Sequence, residues 1–204
     1  GALSSDGAPP PTHAGQRAIP QRPDLPAAYS ALGRGLRGAV KPDLLAPGGR
    51  RLFTRRLPTN DAPWTPATRR DVGHVVAVPG PAGSKLTTRL SGTSNAAALT
   101  SRAAIVIHSA VAALLEQPEA GSLASVPTAL FVKALLVHTA EWPAETAAYV
   151  QQALVSLLDP SRGKDHLAGL LGYGVLRAMR GVACAPERAT LVGGGFIAKD
   201  QRAI

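Results

Sequence analysis

The sequence predicts an α/β domain, and three observations lead there. Short runs suited to strands, Leu44-Leu45-Ala46 and Val75-Val76-Ala77-Val78, lie among prolines and glycines in the first ninety residues. From Ser94 onward the chain changes to alanine- and leucine-rich stretches of helical length. Between the two regimes stands Leu90-Ser91-Gly92-Thr93-Ser94-Asn95-Ala96-Ala97-Ala98, which puts a serine hydroxyl where a strand region gives way to a helix. A chain of 204 residues with 45% hydrophobic content can bury a sizeable core, and one domain plus an extension is the simplest count.

Each element follows from local chemistry. Residues 9–26 carry Pro9, Pro10, Pro11, Pro20, Pro23 and Pro26, which preclude a continuous helix or central strand, so a surface loop is expected. Residues 44–46 read as a short buried strand ended by Pro47-Gly48-Gly49, and residues 50–71 as a second long excursion rich in arginine and proline. A helix then runs from Ser94 to a stop at Glu116-Gln117-Pro118. Its Ala104, Ile105, Ile107, Val111 and Leu114 populate nearly all faces, as in a helix buried in a core. Pro127 suits a first helical position, with Glu141-Trp142-Pro143 as the stop. A third helix is expected over 144–158 and a fourth after Ser161-Arg162-Gly163. The tail reads as two short strands, one over 189–192, around Gly193-Gly194-Gly195.

Ser94 matters because a first helical turn offers backbone N–H groups without intrahelical partners, at the positive end of the macrodipole. An oxyanion formed by acyl transfer can be held there. Gly92 permits close approach of a substrate. The plain alternative is a helix cap, since serine and threonine are among the commonest cap residues.

The net charge is +9, but Arg50-Arg51, Arg55-Arg56 and Arg69-Arg70 are spread along the chain and aromatics make up only 4%, which argues against a nucleic-acid partner. Cys184 is the single cysteine, so no internal disulfide is possible. No secretory signal is visible, and the apolar stretches are broken by His108, Lys133 and Gln151 and fall short of the roughly 20 apolar residues of a membrane span, so a soluble protein with no membrane partner is expected, and no compartment is assigned.

Three blocks together carry a resemblance. Tyr29-Ser30-Ala31-Leu32-Gly33 is similar to F-S-x-x-G. Lys41-Pro42-Asp43-Leu44-Leu45-Ala46-Pro47-Gly48 is similar to K-P-D-hydrophobic-x-A-P-G, and Gly92-Thr93-Ser94-Asn95-Ala96 to G-T-S-x-A. In that order they resemble the region of subtilisin-like serine proteases that leads to the reactive serine. Gly1-Ala2-Leu3-Ser4 resembles the V-G-A-V segment upstream, Lys133 to Ala140 a downstream helix, and Gly172-Tyr173-Gly174 a G-Y-G after the last core helices. The resemblance covers residues 1–178, most specifically 29–106, and leaves 179–204 as a C-terminal extension.

The resemblance implies a three-layer fold with a mostly parallel sheet, incomplete at the N-terminus. It implies Ser94 as catalytic nucleophile, with the backbone of Gly92, Thr93 and Ser94 around the oxyanion, and a peptide or protein substrate. It implies no cofactor for the chemistry and leaves structural calcium open. Two departures stand out. Ala98 replaces a proline, and the family's aspartate and histidine, which precede the serine in the order Asp, His, Ser, are not recognisable in this chain. His13 lacks the H-G-T-x-V-A-G surroundings of the family's base. His108 lies fourteen residues beyond Ser94, about 20 Å along one helix. His74, His138 and His166 are expected to be structural or solvated, Asp6 to sit in a turn, and Asn95 not to match the family's oxyanion asparagine. The 204 residues alone are therefore expected to be inactive.

Overall fold

The computed structural model describes residues 1–10, 15–31, 33–55, 62–67, 71–81, 84, 86–155, 163–183 and 189–194. Frequent prolines and glycines divide the first ninety residues into strands of two to five residues. β1 (Ala2–Leu3) pairs in parallel with β3 (Ala46–Pro47), Ala2 opposite Ala46 and Leu3 opposite Pro47. β2 (Gln16–Ala18), β4 (Leu52–Arg55) and β5 (Trp64–Pro66) form a three-stranded antiparallel sheet in the order β2-β4-β5. β6 (His74–Val78) and β7 (Leu86–Leu90) form an antiparallel hairpin. Among the described residues five α-helices follow: α1 (Thr93–Leu115), α2 (Thr128–His138), α3 (Ala144–Val155), α4 (Gly163–Leu171) and α5 (Met179–Val182). A 3-10 turn over Pro118–Ser125 separates α1 from α2.

The chain divides into two compact units. The first comprises Gly1–Thr100 and Glu141–Val175. Its main core joins Leu3, Leu25, Leu45, Val150, Leu167, Leu171 and Val175. A second cluster is built from small side chains, Ala2, Ala27, Ala46 and Ala96, with Tyr29 against it. Methyl groups there let the first turns of α1 lie close to the β1-β3 pair.

Within this unit two blocks of the sequence meet. The Tyr173 N–H donates to the Asp43 carbonyl (2.8 Å) and the Leu45 N–H to the Gly174 carbonyl (2.9 Å). Gly172 has φ +61°, and a Cβ on it would stand 2.0 Å from the Pro42 oxygen and 2.5 Å from that of Asp43. Only glycine fits.

The second unit comprises Ser101–Ala140 and Leu176–Ile204. Its core is Ile107 and Val111 of α1 with Phe131 and Leu135 of α2, flanked by Leu115, Leu123, Val132, Val182 and Val192 among others.

The α/β class holds, while several expectations need correction. Among the described strands only the β1-β3 pair is parallel, and the other three pairs are antiparallel. Short connections explain this for β4-β5 and β6-β7, because parallel neighbours need a crossover of a dozen or more residues. The two expected loops, 9–26 and 50–71, contain β2, β4 and β5; β2 and β4 fit into proline-free intervals, and β5 follows Pro63 and ends on Pro66. α1 is not buried all round: Ala96, Ala103, Ile107 and Val111 are covered, whereas Ile105 is 66% and Leu114 43% exposed. A uniformly apolar helix does not reveal which stripe will be covered. By length and composition α1 is also sufficient to cross a membrane, with a mean hydropathy of 1.6 over its most apolar window. The expectation that no stretch is long and apolar enough for a span is corrected to that extent, although core helices pass the same test. Residues 189–192 form no strand, and Leu191 is almost fully exposed. Residues 156–162, Cys184 and Gly195 lie outside the described residues.

A Gly172→Ala substitution is expected to destabilise the fold by at least ~2 kcal/mol, because it combines a positive φ with backbone overlap. Gly7→Ala, with open space around its Cβ position, is expected to stay within ~0.5 kcal/mol of the parent. Urea denaturation midpoints of the two variants measure the difference.

Candidate active site at the start of α1

β7 ends at Leu90, and only Ser91 and Gly92 separate it from α1. The Gly92 carbonyl accepts the Asn95 N–H at 3.2 Å, so Gly92 stands at the cap position and Thr93 and Ser94 are the first two helical residues. Thr93 and Ser94 are both exposed. A Cβ built on Gly92 would meet only the Ser94 nitrogen, at 3.9 Å, so the space in front of the glycine is open. No acidic side chain occupies the first turn to neutralise the helix dipole. An exposed hydroxyl thus sits beside N–H groups and an open glycine. That arrangement suits attack on a carbonyl and retention of the resulting oxyanion.

The helix start is clamped from beneath. Gly92 donates its N–H to the Gly48 carbonyl (2.9 Å), and the Asn95 side-chain amide donates to the carbonyls of Gly48 (3.2 Å) and Leu90 (2.9 Å). Asn95 therefore secures backbone. Gly48 leaves little room: a Cβ there would lie 2.5 Å from that of Ala2 and 3.1 Å from the Gly92 oxygen. The Gly48 and Gly49 N–H groups reach back to the carbonyls of Leu3 and Ser5, each at 3.0 Å. The Tyr29 hydroxyl donates to the Gly49 carbonyl at 2.5 Å. Burial, with the nearby Asp6 charge, pushes the phenol up to about 12.

Asp6 anchors this seat. Its carboxylate has no solvent exposure and accepts the N–H groups of Ala8 (2.9 Å), Arg50 (2.8 Å) and Gly73 (2.8 Å), together with Nε (3.0 Å) and Nη2 (2.7 Å) of Arg50. Burial opposes ionisation, but the hydrogen bonds from the Arg50 side chain and from the Arg50 and Ala8 backbone outweigh it. The carboxyl is held below the usual carboxylate range. Gly73, fixed by Asp6, has φ +108° and packs so tightly on β7 that a Cβ would lie 2.5 Å from the Leu90 oxygen. Leu90 in turn accepts from Asn95. A path of direct contacts thus runs from Asp6 to the turn that carries Ser94.

Sequence reasoning placed Ser94, Gly92 and Thr93 together at a helix start, where the structure also has them. It read Asp6 as a turn residue, which agrees with the Ala8 N–H bond, but missed its link to Arg50. The local signal, Ser5-Asp6-Gly7, carries no sign of a partner forty-four residues away. His74 lies on β6 opposite Leu90, with Nε2 buried and without a hydrogen-bond partner. His108 and His138 are exposed on α1 and α2. The side chains of His13 and His166 lie outside the described residues. Among the described residues no group of three His, Cys, Asp or Glu side chains is placed to hold a metal ion.

An Asp6→Asn variant is expected to lose about 3–5 kcal/mol at neutral pH, because Arg50 keeps its charge and loses its partner. The folded pKa of Asp6 is depressed, so its contribution is complete above the unfolded value, about 3.9, and fades as pH falls through the folded value. The stability gap between parent and variant, measured by urea titration, is expected to be constant from pH 6 to 8 and to narrow below about pH 4.

A model of the subtilase family matches residues 16–174, which include Asp43, Gly92 and Ser94; Gly1–Ser4 and Asp6 lie before the matched segment. No curated protein and no solved structure matches the chain. The match spans most of the chain and contains the blocks at 29–33, 41–48 and 92–96. The chain belongs to the subtilase family, with residues 16–174 in a subtilisin-like peptidase domain.

Proposed function

We propose that Ser94 is the nucleophile of peptide-bond hydrolysis and that the histidine and aspartate serving it come from polypeptide outside these 204 residues. Membership of a serine peptidase family makes peptides or proteins the substrate class. The observation that carries the finer reading is the exposure of Ser94 in the first turn of α1, beside the open approach over Gly92. Gly92, not Ser94, holds the cap position, so the hydroxyl is not committed to capping.

In this scheme Ser94 Oγ attacks the scissile carbonyl carbon while the histidine takes the hydroxyl proton. The Ser94 N–H helps to hold the oxyanion, and the backbone of Gly92 and Thr93 borders the scissile bond. The C–N bond then breaks, and the amine leaves with the proton from the histidine. Water, deprotonated by the same histidine, attacks the acyl-serine ester and releases the carboxylic acid as the hydroxyl is restored. No cofactor enters these steps. Residues 1–178 form the peptidase portion in this reading, and 179–204 an extension. Ile105, Val106 and Leu114, exposed on α1, support it because further polypeptide of the domain would cover them.

Labelling with a fluorophosphonate tests the assignment. In a longer chain that carries an upstream aspartate and histidine, Ser94 is expected to be modified selectively, and Ser94→Ala to lower peptide hydrolysis by on the order of 10⁶-fold. The 204 residues alone are expected to show no hydrolysis above background. Modification of Ser94 no faster than of exposed serines such as Ser109 would leave Gly92-Thr93-Ser94 as the helix start of a noncatalytic family member.

A further inference from the structure

The β2-β4-β5 sheet carries a cationic face that the chemistry at Ser94 does not use. Directly opposed residues of an antiparallel pair share a face, and alternate residues of a strand return to it. Arg17, Phe53 and Pro66 are opposed across the three strands, and Arg55 is opposed to Trp64, so all five lie on one face. Arg51, immediately before β4, belongs to the same alternation and is exposed, as is Arg17. The guanidinium carbons of Arg17 and Arg55 stand 5.4 and 4.7 Å from the centre of the Trp64 ring. Such contacts orient both cations and offset part of the repulsion between them.

The spacing of the backbone positions that carry these cations is the informative feature. Arg51, the Arg17–Phe53 pair and Arg55 succeed one another at two-residue intervals along β4. At the rise of a strand this sets the backbone positions that carry them about 7 Å apart along the sheet, the separation of alternate side chains in an extended peptide, while the Arg17 and Arg55 guanidinium groups both reach the Trp64 ring. The opposite face bears Gln16, Ala18, Leu52, Thr54 and Thr65, and no acidic residue occupies any of these strand positions. The sheet is part of a chain with a net charge of +9.

We propose that this face binds an extended peptide segment with carboxylates at alternate positions, such as an acidic stretch of a protein substrate held away from the scissile bond. Guanidinium groups pair well with carboxylates through paired N–H donors, and two of the three cations are already ordered against one ring. A single-stranded nucleic acid fits less well, because it stacks its bases on free aromatic faces and here Trp64 is engaged by two arginines. The proposal does not depend on Ser94 being reactive.

Fluorescence anisotropy of a dye-labelled Glu-Ser-Glu-Ser-Glu peptide with the 204-residue chain tests it. Binding is expected to weaken at least tenfold in Arg17→Glu and in Arg51→Glu, whose exposed side chains leave folding intact by circular dichroism. Arg102→Glu, an equal change of charge on exposed α1 surface, is expected to change it less than twofold. A peptide with the same three glutamates contiguous is expected to bind at least threefold more weakly. Absence of binding, or equal loss in Arg102→Glu and Arg17→Glu, would overturn the proposal. So would oligothymidine that binds more tightly than the peptide and is released by Arg17→Glu.

Discussion

A carboxylate removed from water must find donors or give up its charge, and Asp6 finds five of them on three separate segments. That requirement fixes where the segment after β1, the turn after β3 and the approach to β6 meet. Arg50 brings Gly48 and Gly49 with it, and Gly73 brings the β6-β7 hairpin against the same turn. The start of α1 is then bonded to both: Gly92 to Gly48, and Asn95 to Gly48 and Leu90. Ser94 occupies its position because backbone two contacts away is held by one buried charge.

The glycines and alanines around this seat follow from the same crowding. Gly48 and Gly73 stand where a Cβ would overlap neighbouring atoms, and Ala2, Ala46 and Ala96 bring strand and helix together with methyl groups alone. Rigid backbone under an exposed hydroxyl suits a nucleophile, since a reacting atom gains from being held in place before the substrate arrives. Farther along, α1 leaves apolar side chains uncovered.

What the sequence made legible was local. The Gly-Thr-Ser turn, the helices from Thr93 onward and the strands near 45 and 75 depend on neighbours a few residues away, and residue type and spacing carry that information. The Asp6–Arg50 pair spans forty-four positions, and Ser5-Asp6-Gly7 looks the same whether or not a guanidinium lies above it. Strands of three residues in proline-rich stretches, such as β2 and β5, give too short a period to separate from loop. The Arg17–Trp64–Arg55 cluster exists only once the register of those strands is set. For α1, composition showed an apolar helix but not its buried stripe, because alanine, isoleucine and valine occur on every side.

The dependence of the helix start on Asp6 is tested most directly by native-state amide hydrogen exchange. If the carboxylate secures the whole seat, the N–H groups of Arg50, Gly73 and Gly92 open together, with one common free energy in the parent and a common loss of protection in Asp6→Asn. Gly92 exchanging freely in the parent, or keeping its protection in Asp6→Asn while Arg50 and Gly73 lose theirs, would contradict the account.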